Sequence, residues 1–197
     1  NNGYRVSQVG TKNFCKEVLN FRSFPSFMFS NNLSETSKII LFNHFIRKLE
    51  LEEKPDIIIV GIPGGVIPLD DRNHNKFGIT AYEVSQAVSP DAVIMTTLYE
   101  EYYPEYFRYI NEMTKYKLGY EIDCFNLSTY KLNWPETQMT NTQCYLSVDV
   151  EFVNKRKSDY SQLGRPVFCI KDKSDHGRMA NFIIERLSEY ARAGIVI

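Results

Sequence analysis

Residues 56–65 read DIIIVGIPGG. A β-branched run with no polar alternation marks a strand covered on both faces, the usual state of a strand in a parallel sheet. It ends on Gly61, Pro63, Gly64 and Gly65. Two physical reasons for such an ending stay open. Glycines permit positive φ in a tight turn. They also expose backbone N–H groups that can cradle an anion.

Before this run, Ser34 is a good N-cap for ETSKIILFNHFIRKLELEE. There Ile39, Phe42, Phe45, Ile46 and Leu49 fall on one helical face, and Pro55 closes the segment. Further upstream, YRVSQV at 4–9 predicts a strand, GTKNFCKEVLNF a turn and short helix, and the phenylalanine-rich 21–33 a packed loop. Downstream, a polar loop, PLDDRNHNK, leads to a helix over 78–88 and a buried strand over 91–98. Pro104 opens a helix that Gly119 closes, with Tyr103, Phe107 and Ile110 on its core face. A strand follows over 119–128, then a loop, KLNWPETQMTNT, in which Trp134 is an anchor. CYLSVDV and RPVFCI read as strands on either side of the short helix DVEFVNKRK. The final helix, SDHGRMANFIIERLSEYA, turns Ile183, Ile184 and Leu187 to the core.

Strands and helices alternate from end to end. That order predicts an α/β fold: a three-layer, mainly parallel sheet flanked by helices on both faces, Rossmann-like in plan. A single domain over residues 1–197 is expected, one large enough to bury about 70% of its unfolded surface. The chain starts at Asn1 and enters a strand at once, which reads as the C-terminal part of a longer protein.

A net charge of −1 argues against a binder of nucleic acid, which must neutralise many phosphates. The basic run NKRK at 154–157 reads as a solvated helix end. Cys15, Cys124, Cys144 and Cys169 form no CxxC pair, and two of them lie in apolar strands. They read as core thiols of a cytoplasmic protein, not a disulfide or zinc framework. No apolar run is long enough to span a membrane, and no signal peptide is expected.

In parallel sheets, ligands bind beyond the carboxyl ends of the strands. That rule selects Thr11, Gly61, Gly64, Gly65, Glu100 and Asn126 as candidate ligand-binding residues. Glu100 and Glu101 point opposite ways on an extended segment, so at most one faces a crevice. Each is a metal-binding or basic carboxylate, or part of a surface loop. Asn126 either reads a base or caps the next turn. His44, His74 and His176 are scattered, so no metal site is expected. No cofactor is evident and no catalytic residue is assignable. The aromatic runs FRSFPSFMF and YEEYYPEYFRYI are either core or an exposed partner surface.

The phrases GYRVSQVGTK, SFPSFMFS, LFNHFI, KPDIIIVGIPGG, FGITAYEVSQAVSPDAVI, LYEEYYPEYF and LGYEIDCFNLS carry a resemblance. They look like the C-terminal half of the clostridial peptide maturation system proteins. Those are encoded beside radical SAM peptide maturases and small cysteine-containing precursor peptides. The resemblance runs from Gly3 to the closing ERLSEYA. It implies an accessory or binding domain that holds the precursor peptide or the radical SAM maturase. This reading requires exposed apolar surface near Phe24–Phe29 or Tyr99–Tyr106.

More distantly, the same phrases resemble SIMIBI-class P-loop NTPases. That likeness implies a P-loop-NTPase-like sheet binding a nucleotide with Mg. Asp56 to Gly65 would lie near the γ-phosphate, Asp91 to Leu98 would form the next strand, and Asn126 would read the base. The chain departs from that class in having no GxxxxGK[ST]. A phosphate-binding loop upstream of Asn1, or its decay, accounts for this. A domain that only forms a homodimer is the third expectation.

Overall fold

A computed structural model describes residues 3–11, 21–68 and 78–193. The chain forms two compact units, Asn1–Ser89 and Pro90–Ile197. The helix expected over 12–20, with Cys15, and the polar loop with His74 lie outside the described residues.

In the first unit, β1 (Val6–Gly10), β2 (Arg22–Ser23) and β3 (Ile57–Val60) form a three-stranded parallel sheet in the order β2-β1-β3. Helix α1 (Glu35–Glu53) begins where the Ser34 side chain accepts the Ser37 N–H. Its apolar stripe works as the spacing predicts: Phe42 and Leu49 are buried, with Ile39, Phe45 and Ile46 packed beside them. Val84 and Ala87 of α2 (Ile79–Ala87) and Val9 of β1 complete this core. The segment 21–33 is not a mere loop. It holds β2 and a single 3-10 turn, Ser26–Phe29, and it drives Phe24 and Met28 into the same core. The Phe24 ring lies 5.5 Å from Phe42. An exposed aromatic patch at Phe24–Phe29 is not found: Phe24 is buried, Phe27 packs against the core, and Phe29 alone is exposed, at 43%.

In the second unit, β4 (Ile94–Thr97), β5 (Cys124–Leu127) and β8 (Val167–Phe168) are parallel in the order β4-β5-β8. All four residues of the central β5 are buried. Successive side chains on a strand face opposite ways. Phe125 meets Phe107 of α3 (Pro104–Leu118) at 4.9 Å. Cys124 instead packs with Phe168 against Met179, Phe182 and Ile183 of α6 (Lys173–Ala193). Helices thus cover both faces of this sheet, in a generic Rossmann-like layering. Both expected core thiols, Cys124 and Cys169, are fully buried. Burial, and then the charge of Asp123, pushes the Cys124 thiol up to about 12.

The sheets are not wholly parallel, because β6 (Tyr130–Leu132) and β7 (Tyr145–Ser147) make an antiparallel pair. The sequence reading made 131–142 a loop. In fact Asn133 accepts the Glu136 N–H and starts α4 (Trp134–Thr140), with Pro135 in its first turn. Helix α5 (Val150–Asp159) follows, capped by Asp149. Tyr103 is not core: it stands before the first turn of α3 at 78% exposure, whereas Phe107 and Ile110 are buried as expected.

Gly78 marks a close approach in the first unit. Its φ is +72°, and a Cβ there would lie 2.3 Å from the Val66 carbonyl oxygen. Gly64 has φ +91° but open space around it. Urea denaturation should find Gly64→Ala destabilising by about 1–2 kcal/mol, the strain of a left-handed residue. Gly78→Ala should cost about 3 kcal/mol or more, since backbone overlap adds to that strain. Equal losses would mean that the chain relaxes freely at Val66.

Candidate functional site

The six residues selected by the strand-end rule divide between the two units. Thr11, Gly61, Gly64 and Gly65 belong to Asn1–Ser89, and Glu100 and Asn126 to Pro90–Ile197. Within the first unit, Thr11 and Gly61 are neighbours. A Cβ on Gly61 would lie 3.0 Å from Thr11 Cγ2 and 3.3 Å from the Val9 carbonyl. The Gly61 N–H already donates to Val9 O at 2.8 Å. Gly61 therefore lets β3 leave the sheet tight against the end of β1. Asp56, at the start of the same run, accepts from the Arg5 backbone N–H at 2.8 Å and pairs with its guanidinium at 3.2 Å.

In the second unit, Asn126 is almost wholly buried. Its Oδ1 accepts the Ile170 N–H at 2.9 Å and its Nδ2 donates to Thr96 Oγ1 at 3.2 Å. The amide thus ties β4, β5 and the segment after β8 together. Glu100 and Glu101 do diverge. Glu101 is exposed and pairs with Arg156 at 2.8 Å, while Glu100 is mostly covered and lies 3.8 Å from Lys131. The Tyr160 hydroxyl accepts the Tyr102 N–H at 3.2 Å and donates to the Glu100 carbonyl at 3.4 Å. Tyr102 and Tyr106 stack at 4.1 Å, and burial raises the pKa of both phenols.

Three side-chain oxygens here are buried without a hydrogen-bond partner: Thr97 Oγ1, Glu100 Oε1 and Asn154 Oδ1. Each is a hydrogen-bond acceptor, and two of them can act in no other way.

The strongest polar network of this unit was missed in the sequence. Asp175 has no exposed surface. It accepts the Cys169 N–H at 2.7 Å, Lys157 at 2.5 Å and Arg178 at 3.1 Å. Asp172 accepts from Asn154 at 2.8 Å and from the Ser174 N–H at 2.9 Å, which caps α6. The run NKRK is therefore not a solvated helix end: Asn154, Arg156 and Lys157 are all bonded to acidic side chains. The signal was present in KDKSDH, 171–176, just beyond RPVFCI.

Among the described residues, no group of three His, Cys, Asp or Glu side chains is placed to hold a metal ion. His176 is engaged with the Ile170 carbonyl at 2.7 Å. No described helix is long and apolar enough to cross a membrane. No family model, curated protein or solved structure matches the chain.

Removing the Asp175 carboxylate leaves the partly buried Lys157 with only the longer 3.8 Å contact to Asp172, and leaves the Cys169 N–H unpaired. Asp175→Ala should cost about 3–5 kcal/mol in urea denaturation. Thr97→Val should stay within about 1 kcal/mol of the parent, on the stabilising side, because it deletes an unpartnered hydroxyl. A destabilised Thr97→Val would reveal a bound water or ligand at that oxygen.

The Asp172 carboxyl is held below its ordinary value near 3.8, chiefly by the Ser174 N–H, then by the Ser174 hydroxyl and Asn154. A depressed carboxyl stabilises the fold above its unfolded value, and that contribution is lost as pH falls through the lower folded value. Melting temperatures from pH 6 down to pH 2 should show a shallower acid limb in Asp172→Asn. An unchanged limb would assign acid unfolding to other carboxylates.

Proposed function

We propose that the chain is an accessory binding module of a ribosomal peptide maturation system, holding an extended precursor peptide beside a radical SAM maturase. The sequence resemblance supplies the setting. The observation that supports binding is the free edge of β7. Its only strand partner among the described residues is β6, and all three of its residues are exposed. Tyr145 and Leu146 are about half exposed, and so is Tyr130 across the hairpin. Met139 and Phe152, on the flanking helices α4 and α5, are more exposed still.

An unpaired strand edge offers backbone donors and acceptors to an extended peptide, and its side chains give grip. The peptide surface of this reading thus moves from the phenylalanine segment, which is core, to the hairpin.

The nucleotide reading, with Mg and an upstream phosphate loop, finds less support. The unpartnered oxygens beyond β4 and on α5 are acceptors, whereas a phosphate needs donors. Base reading by Asn126 would also require breaking its bonds to Ile170 and Thr96.

Titration calorimetry of the chain with a small cysteine-containing precursor peptide of such a maturation system tests the proposal. Binding is expected, with amide shifts concentrated at 145–147 in NMR. Leu146→Lys should weaken it by about tenfold or more, as expected when one apolar anchor of about 1.5–3 kcal/mol is lost. No binding, or binding indifferent to Leu146→Lys, would overturn it. A dimer in size-exclusion chromatography that Leu146→Lys dissociates would assign the edge to a second copy instead.

A further inference from the structure

We propose that the second unit carries a receptor for a guanidinium group at the amino edge of its sheet, independent of what occupies the hairpin. A cavity of about 580 Å³ opens there, among the residues that precede β4 and β5 and the end of α3. That volume lies within the range of small-ligand sites.

Charge pairing decides what the cavity can accept. Its three cations are already committed. Lys115 pairs with Glu121 at 2.8 Å, and Arg165 with the same carboxylate at 2.7 Å. Arg165 also donates to the Ile122 carbonyl. Arg186 pairs with the buried Asp123 at 3.1 Å and with Glu189 at 2.9 Å. An anionic ligand would have to displace these carboxylates.

Asp91 differs from them. It lines the cavity, is exposed, and has no hydrogen-bond or ion-pair partner among the described residues. Two further features favour a cation beside it. Tyr120 lines the cavity, and an aromatic face attracts cations. Gly119, the C-cap of α3, lines it too, which brings the negative end of a 15-residue helix to the wall. A carboxylate, an aromatic ring and carbonyl acceptors suit a planar guanidinium better than a compact ammonium. The guanidinium stacks on rings and forks onto carboxylates.

The test uses the whole chain with two blocked amino acids of matching shape, Nα-acetyl-arginine amide and Nα-acetyl-citrulline amide. In NMR titrations only the arginine derivative should shift the amides of Asp91, Val93 and Tyr120. Asp91→Asn should weaken its binding by about tenfold or more, as for a lost charge-assisted bond. Tyr120→Leu should weaken it by about threefold, the scale of an exposed cation–π contact. Melting curves of both variants establish that they fold. Equal response to the two probes, no response to either, or binding unaffected by Asp91→Asn would overturn the proposal. A further arm compares agmatine with acetyl-Gly-Arg-Gly amide. Tighter binding of agmatine assigns the receptor to a free metabolite, and tighter binding of the tripeptide to an arginine within a polypeptide.

Discussion

Parallel strands cannot be joined by a tight turn, and every strand pair in both three-stranded sheets is parallel. Each return therefore needs a crossover, and four of the described helices, α1, α3, α4 and α5, lie in crossovers. The path from β2 to β3 holds α1, and the path from β4 to β5 holds α3. The route from β5 to β8 is longer and carries the hairpin, α4 and α5 before the strand is laid down. A strand with helices on both sides must be apolar on both faces, which is why β5 reads CFNL and is buried throughout. Its one polar residue, Asn126, survives there because both ends of its amide are bonded.

The same constraint concentrates charge at the two ends of the second unit's sheet, where backbone pairing stops. At the amino end, Asp123 accepts the Val93 N–H at 2.8 Å and holds Arg186. At the carboxyl end, Asp175 does the equivalent work for Cys169 and Lys157. A buried carboxylate is costly unless its lone pairs are filled, and these two are filled by one backbone N–H each plus basic side chains. Such an arrangement adds little net stability over apolar packing. It fixes which loop lies against which strand, because a shifted loop would leave a charge unpaired.

Where the sequence was legible, the reason was periodicity or a terminal residue with one dominant conformation. The stripe from Ile39 to Leu49, the Ser34 cap and Pro104 at the start of α3 all belong to this class. Burial of Cys124 and Cys169 follows from their apolar strands. What was not legible depends on partners distant in sequence. The phenylalanines of 21–33 have no period because a short strand and one 3-10 turn aim them, and their target is Phe42 on α1. The strand β6 is three residues long and is steadied from outside by the Tyr99 N–H on the Tyr130 carbonyl, at 2.8 Å. Nothing within KLNWPETQMTNT announces that bond. NKRK looked solvated because its acids lie 18 residues downstream of Asn154 and Lys157, at Asp172 and Asp175. Of the candidate residues, Thr11 and Gly61 lie side by side, a contact between the ends of two strands that no local pattern encodes. The β7 edge and Asp91 do not follow from the strand-end rule, because neither sits at the carboxyl end of a parallel strand.

That last point bears on how such a fold recognises anything. The crevice beyond the carboxyl ends of parallel strands is the usual ligand position because loops there are free to vary. In this unit the segment after β8 is pinned by Asn126 and Asp175, and the segment after β4 by Tyr160 and by the hairpin. The groups a ligand would use are largely occupied by the chain itself. Apart from the unpartnered oxygens of Thr97, Glu100 and Asn154, two features of the described residues stay open to a partner: the solvated backbone edge of β7, which another extended chain can pair, and the Asp91 carboxylate in a cavity that Tyr120 also lines. An extended segment and a cationic side chain are both properties of polypeptides. Neither requires phosphate, and neither requires the glycine turn, whose first residue is already used in packing β3 against β1.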